Sequence, residues 1–334
     1  MNAIKPLENS NMPTRRTRQG YADALIALAG EMPELVVLDA DVAKATQTCD
    51  FAARFPDRFF NCGAAEQNEL SVAAGMALEG FLPFATTFGM FATKRAADQF
   101  RNSICYSRLN VKVAATHCGI STGGDGASHQ DNEDLAMTRA MPHLTVLVPG
   151  DYEEARLATL AAARYPGPVY LRLGRDEYPT VPEIHGEFII GKAKLLRPPP
   201  SGSVVIVSTG VMVSEALRAA DILDTQGVPA GVIHMPTIKP LDTCGLVEAC
   251  RNALGVVTAE EHSIIGGLGE AVSACLAEAL PLPVRKIGVR DVFGESGRAA
   301  ELFDKFGLRS ADIVRAALEL RERAGASRGF QDPR

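Results

Sequence analysis

The sequence predicts an α/β protein of two doubly wound domains, and three observations carry that prediction. Short apolar runs of strand length alternate with longer amphipathic stretches, the pattern of a mostly parallel sheet covered by helices on both faces. Pro179, Pro182 and the run Pro198-Pro199-Pro200-Ser201-Gly202 interrupt the alternation once, after which it restarts. At 334 residues the chain is longer than one typical domain. The expected division is an arm over 1–13, a first domain over 14–190, a linker over 191–202 and a second domain over 203–334.

Each element has a local reason. Tyr21, Leu25, Leu28 and Met32 recur at helical spacing, which predicts a helix from about Arg18 to Met32. Leu35-Val36-Val37-Leu38 is a buried strand ending at Asp39-Ala40-Asp41. A helix over about Asn68–Leu78, a strand near Leu82–Thr86 and a helix over about Phe88–Tyr106 follow. Val111–Ala115 is a strand, Asn132–Met141 a helix and Thr145–Val148 a strand. Asp151-x-x-Glu154 has capping-box spacing and opens a helix to Tyr165, and Val169–Leu173 closes the first series. Beyond the prolines come strands at Val204–Val207, Ala230–His234, Leu254–Thr258 and Val284–Val289. Helices begin near Val213 and Leu268, and a last one spans about Asp312–Arg323.

Composition narrows the function. With 46% hydrophobic and 22% charged residues the chain is globular. A formal charge of −6 speaks against nucleic acid and anionic membranes as partners, and no apolar run reaches the length of a membrane span. The seven cysteines are scattered without a Cys-x-x-Cys pair, which fits a reducing cytoplasm and neither zinc nor a disulfide framework. Cys118 adjoins His117, but neighbouring strand-end side chains point apart, so it is not read as a nucleophile. Gly266-Gly267-Leu268-Gly269 lacks the third glycine of a dinucleotide fingerprint, since Val272 stands there, and reads as close helix packing. His262, in Ala259-Glu260-Glu261-His262, reads as structural or as part of an interface.

The segment that carries chemistry is Thr116-His117-Cys118-Gly119-Ile120-Ser121-Thr122-Gly123-Gly124-Asp125-Gly126-Ala127-Ser128-His129-Gln130. It follows a buried strand and precedes the acidic opening of a helix, so His117, Asp125 and His129 hang on a small-residue loop at a strand's carboxyl end. Open α/β sheets bind ligands there. Arg175 occupies a second carboxyl end, after Val169–Leu173. Glu66, in Gly63-Ala64-Ala65-Glu66-Gln67-Asn68-Glu69, suits a helix N-terminus by its charge alone. Phe88 and Phe91 lie three apart on one predicted helical face, a spacing that also suits core residues.

Together these segments resemble the transketolases, a family of thiamine diphosphate enzymes. The substrate loop is similar to the family's Thr-His…Gly-x-Asp-Gly-x-x-His-Gln run, and Glu66 matches its glutamate-bearing turn. Thr87-Phe88-Gly89-Met90-Phe91 resembles the segment whose aromatics stack on the aminopyrimidine. The resemblance implies that Glu66 activates the cofactor by holding a proton at N1′ of that ring, that Phe88 and Phe91 form the stack, and that Asp41 lies near the cofactor. It also implies that His129 and Asp125 address the sugar hydroxyls and carbonyl, while Arg18, His117 and Arg175 hold a phosphate. Two guanidinium forks suit that anion. Two positions depart from the pattern. Lys94 replaces a third aromatic, and Ala45 replaces a serine, with Thr46 next door as a substitute.

The family's Mg²⁺ and diphosphate motif, Gly-Asp-Gly followed some 25–30 residues later by Asn, is not matched, because after Asn132 the next Asn is Asn252. The resemblance therefore covers the second half of a full-length transketolase: a pyrimidine-binding domain of the thiamine diphosphate fold, then a transketolase C-terminal-like domain. It implies the C-terminal subunit of a split transketolase, an enzyme that moves a two-carbon ketol unit from a ketose phosphate to an aldose phosphate. A separate N-terminal subunit would hold Mg²⁺ and the diphosphate, in an α2β2 heterotetramer. Three alternatives remain at this point: the β subunit of a 2-oxo-acid dehydrogenase, a pyruvate-condensing synthase, and a regulatory homologue without catalysis.

Overall fold

A computed structural model describes residues 13–329, so the expected arm lies, apart from Pro13, outside the described residues. The first half opens with β1 (Thr14–Arg15) and α1 (Thr17–Ala29), whose Tyr21, Leu25 and Leu28 are buried at the predicted spacing. Gly20 lets α1 press on its neighbour: a Cβ there would sit 2.1 Å from the Tyr152 carbonyl oxygen. Then come β2 (Leu35–Asp39), short helices α2 (Ala43–Thr46) and α3 (Cys49–Arg54), and the edge strand β3 (Phe59–Asn61). These lead to α4 (Glu66–Leu78) and β4 (Leu82–Phe88).

The helix expected over Phe88–Tyr106 is not regular. Phe88 is the last residue of β4, and two π-helical segments follow, Phe91–Arg95 and Gln99–Tyr106. Pairing of β4 with β5 (Lys112–Thr116), which sets Phe88 opposite Thr116, holds that residue in the sheet. A 3-10 turn (Ile120–Asp125), α5 (Asp134–Ala140), β6 (Thr145–Leu147), α6 (Tyr152–Arg164), β7 (Val169–Arg172) and β8 (Tyr178–Pro179) complete this half. Asp151 caps α6 by accepting from the Glu154 amide at 2.9 Å. Glu154 does not close the expected box. Its carboxylate accepts from the Gly150 amide at 2.7 Å and pairs with Lys194 and His234 of the second half at 2.9 and 2.7 Å.

Residues 191–202, read as linker, contain the strand β9 (Lys194–Arg197). The second half continues through β10 (Val204–Ser208), α7 (Met212–Thr225), β11 (Ala230–His234), β12 (Thr237–Lys239) and α8 (Thr243–Cys250). It ends with β13 (Gly255–Ser263), α9 (Leu268–Ala279), β14 (Val284–Val289), α10 (Ala299–Phe306) and α11 (Ser310–Gly329). β13 runs past the expected Thr258 to take in Glu260, Glu261 and His262.

Two sheets result. The first has the order β12-β6-β7-β5-β4-β2-β3, parallel except for β12. The second has the order β14-β13-β10-β11-β9, parallel except for β9. β12 belongs to the second half by sequence, yet pairs antiparallel with β6 of the first sheet. Chain order reverses between β2 and β4, a switch point whose crevice lies outside the carboxyl ends of those strands. Among the described residues no helix is long and apolar enough to cross a membrane.

Candidate active site

The carboxyl ends of β2, β4, β5 and β7 converge with the N-termini of α1 and α4, and most of the expected site residues meet there in two groups. The first is aromatic. Phe88 and Phe91 stack with centroids 5.7 Å apart and planes 15° apart, the approach being set by the end of a strand and the π turn after it rather than by one helical face. His129 meets Phe91 and Phe88 edge-on at 5.4 and 6.0 Å. Its Nδ1 lies 2.9 Å from the Ser128 hydroxyl. Glu66 opens α4, is 3% exposed, and leaves Oε2 buried without a hydrogen bond. Arg95 reaches this oxygen at 3.6 Å and lies over the Phe91 ring, 4.9 Å from its centroid.

The second group is cationic. His117 follows β5 at a φ of 59°, a conformation uncommon outside glycine, and stacks on Phe88 at 3.8 Å between centroids. Arg18 Nη1 donates to His117 Nε2 at 3.3 Å and to the Ala45 carbonyl at 2.5 Å. Nε2 therefore accepts, the ring proton sits on Nδ1, and Nδ1 donates to the Thr116 hydroxyl at 2.9 Å. Burial, with Arg18 and Arg175 nearby, pushes the His117 imidazolium down to about 3. Burial, Arg16 and Arg175 likewise bring the Arg18 guanidinium down to about 10, and its Nε is buried without a partner. Arg175 donates to the Thr122 carbonyl at 2.7 Å and stands 3.5 Å from Asp125. Two cations, Arg18 with an unused buried donor, beside a neutral imidazole make a receptor for an anion.

One expectation needs correction, and two neighbouring positions are held by partners of their own. Asp41, just past β2 at a φ of 65°, accepts from Asn61 on the edge strand at 2.9 Å. Thr46 does not stand in for the missing serine: its hydroxyl donates to the buried Asp39 carboxylate at 2.9 Å. Asp39 also accepts from the Val42 amide and the Thr48 hydroxyl at 2.6 and 2.9 Å, which fixes the loop offering the Ala45 carbonyl to Arg18. Lys94, at the position of the missing third aromatic, engages carboxylates. Its ammonium contacts the buried Asp131 and lies 3.4 Å from Glu133.

Sequence reasoning missed the support beneath the loop. Arg172 is buried and donates to Asp134 at 2.7 Å and to the Glu261 and Asp131 carbonyls at 3.0 and 3.3 Å. Burial works against both charges, yet their attraction prevails, holding Asp134 below the usual carboxylate range and Arg172 above its ordinary value. Glu261 accepts from the Ser121 amide at 2.6 Å, and a Cβ at Gly119 (φ 83°) would lie 2.4 Å from its Oε1. The second half thus presses directly on the loop that carries His117, Asp125 and His129. His262 Nε2 accepts from the Leu135 amide at 3.2 Å, and a Cβ at Gly266 would lie 2.3 Å from that of Ala136, so this stretch serves the contact between halves. Cys118 is buried with its thiol held well above its ordinary range, as a structural cysteine is. The one legible signal was a charge at Arg172 inside the apolar run Val169–Leu173. Glu69, one turn beyond Glu66, is fully buried, and its carboxyl has no side-chain partner. Burial and then Asp39 push it well above the usual carboxylate range.

Comparison with known proteins yields consistent matches. The profile of the transketolase pyrimidine binding domain matches residues 14–181, and that of the transketolase C-terminal domain matches 191–313. A Methanocaldococcus jannaschii protein described as a transketolase C-terminal section is 45% identical over 305 residues, 90% of this chain and 95% of its own. A 6-deoxy-6-sulfo-D-fructose transketolase subunit from Clostridium is 42% identical over 306 residues, 92% of this chain and 94% of its own. Among solved structures, a split-gene transketolase described as an inactive β4 tetramer is 48% identical and superposes with a TM-score of 0.84, covering 92% of this chain and 98% of its own.

Proposed function

We propose a function from one premise: the chain belongs to the transketolase family. It acts as the C-terminal subunit of a two-chain transketolase, which moves a two-carbon ketol unit from a ketose phosphate to an aldose phosphate. The division at residues 14–190 and 203–334 then corresponds to its pyrimidine-binding and C-terminal domains. The carrying observation is the buried Glu66 carboxyl, whose Oε2 has no hydrogen bond and which stands beside the Phe88–Phe91 stack. An apolar wall with one unused acceptor at its edge fits a flat nitrogen heterocycle such as the aminopyrimidine of thiamine diphosphate. Bound there, that cofactor would supply the carbon that carries the two-carbon unit.

The chain's own residues have separable tasks. Glu66 holds a proton at its carboxyl against the ring nitrogen, and Phe88 and Phe91 fix the ring plane and exclude water. His129, edge-on to that stack, would hydrogen-bond the sugar hydroxyls and carbonyl together with Asp125. Arg18, His117 and Arg175 take the anionic end of the sugar. Asp41 pairs with Asn61 and orders the turn after β2. No cluster of His, Cys, Asp or Glu among the described residues is grouped to hold a metal ion. We assign Mg²⁺ and the diphosphate to an N-terminal partner subunit in an α2β2 assembly. Its compartment on this reading is the cytoplasm, where seven unpaired cysteines persist.

The test uses the complex co-expressed with its partner. Glu66→Gln nearly conserves volume, so the complex assembles and binds cofactor. Exchange of the C2 hydrogen into D₂O, followed by NMR on bound cofactor, is expected to slow by roughly 10²-fold, the scale of a lost acid–base group. Exchange at the wild-type rate with cofactor fully bound would reduce Glu66 to a helix-end charge and remove the catalytic reading. A panel of ketose and aldose phosphates then identifies the substrates.

A further inference from the structure

Arg95 has no part in the functional reading above, yet its placement is specific. Its side chain is 55% exposed, and nothing in a packed core holds it. Two contacts nevertheless hold its guanidinium. One face covers the Phe91 ring, 4.9 Å from the centroid, and Nη1 approaches the Glu66 oxygen that has no hydrogen bond, at 3.6 Å. Phe91 and Arg95 lie four apart in the π-helical segment Phe91–Arg95, which projects both side chains toward the same side. Such π turns occur often at functional sites.

A guanidinium is flat, delocalised and carries N–H donors in its own plane. So does a protonated aminopyrimidine edge. Both present a π face to Phe91 and an N–H to Glu66. The two contacts that Arg95 makes are those that a heterocycle seated on this wall would need, and Phe91 and Glu66 cannot serve both occupants at once. We propose that Arg95 is a gate residue, which fills the pyrimidine seat in the unloaded subunit and swings into solvent when the cofactor enters. This rests on the assignment of Glu66 and Phe91 to the cofactor's pyrimidine.

The chemistry of the pair suits a gate. Glu66 is 4% exposed at its side chain, while Arg95 is more than half exposed, so the arginine leaves without unpacking anything. An ion pair and a cation–π contact that are open to water are each weak. The seat is therefore kept filled by an occupant that is easily displaced. A vacant apolar wall beside an unpaired buried carboxyl would be costlier to expose.

The experiment measures binding of thiamine diphosphate with Mg²⁺ to the assembled two-chain complex by calorimetry. Wild type is compared with Arg95→Gln, Glu66→Gln and the double variant. Removing the competitor is expected to tighten binding about three- to tenfold in Arg95→Gln, with faster association. The gain is expected to shrink in the Glu66→Gln background, where the gate has lost its anchor. Arg95→Lys, which keeps the charge without the flat fork, is expected to fall between wild type and Arg95→Gln. Weaker or unchanged binding in Arg95→Gln overturns the gate and leaves the function of Glu66 standing. Glu66→Gln binding cofactor as tightly as wild type, or a wild-type complex that binds none, removes the pyrimidine assignment and the gate with it.

Discussion

Replacing Arg172 with methionine tests whether the loop that carries His117, Asp125 and His129 is held by a buried ionic contact between the two halves. Methionine keeps the apolar stem but removes the donors to Asp134 at 2.7 Å and to the Glu261 and Asp131 carbonyls at 3.0 and 3.3 Å. Asp134 is fully buried, and only Tyr170 still donates to that carboxylate oxygen, at 2.8 Å. Breaking a buried pair from one side leaves an uncompensated charge and costs about 3–5 kcal/mol. At about 2–3 °C per kcal/mol for a protein of this size, the melting temperature falls by about 6–15 °C. Asp134→Asn alone is expected to be comparably destabilising, since Arg172 then loses its counter-charge. The double variant is expected to recover at least about 2 kcal/mol of the summed losses, the signature of residues that act as a pair. Urea titrations of the four proteins measure this directly. Strict additivity, or a loss under about 1 kcal/mol in Arg172→Met, would show that loop and second half are held by packing alone.

Two further outcomes follow from the cationic group. Arg175→Ala is expected to raise KM for phosphorylated substrates about tenfold while kcat changes far less, because a grip remote from the reacting carbon contributes uniform binding; unphosphorylated sugars serve as the control, and an equal loss with them removes the phosphate assignment. His117, held down to about 3 from an ordinary 6.5, remains neutral where an unfolded chain would protonate it. Its contribution to stability is complete above pH 6.5 and is lost as pH falls from there toward 3, since the unfolded state binds the extra proton; an imidazole resonance for His117 that titrates between pH 8 and 5 contradicts this.

The order of strands and helices was legible because buried strands declare themselves as apolar runs. Leu35–Asp39 and Val204–Ser208 are buried at every position. What escaped were elements whose structure is decided by a distant partner. Phe88 has a helical context in sequence, but pairing with Thr116 keeps it in β4. Lys194–Arg197 is only half-buried and carries no strand alternation; it is ordered because β11 offers it an edge. The site divided in the same way. Glu66, His117, Asp125, His129 and Arg175 stood in segments whose letters resemble a family. Arg95 and Asp39 act through contacts across loops and were silent in sequence. Lys94 stood out only as a departure from an aromatic position, and the carboxylate of Asp131, 37 residues away, decides where its ammonium goes.

The strand β12 limits how this molecule can be taken apart. Thr237–Lys239 crosses from one half of the chain to finish the sheet of the other, lying against Val146 and Leu147 of β6. A shortened protein that stopped in residues 191–202 would leave that border bare, with unpaired amides beside apolar side chains, a template for self-association. Recombination between relatives meets the same obstacle. A graft of a foreign C-terminal half must bring a tripeptide that fits the recipient's β6, or the chimaera opens at the sheet that carries its chemistry. Sequence similarity suggests a seam near residue 190, but the hydrogen-bonded seam lies around Thr237.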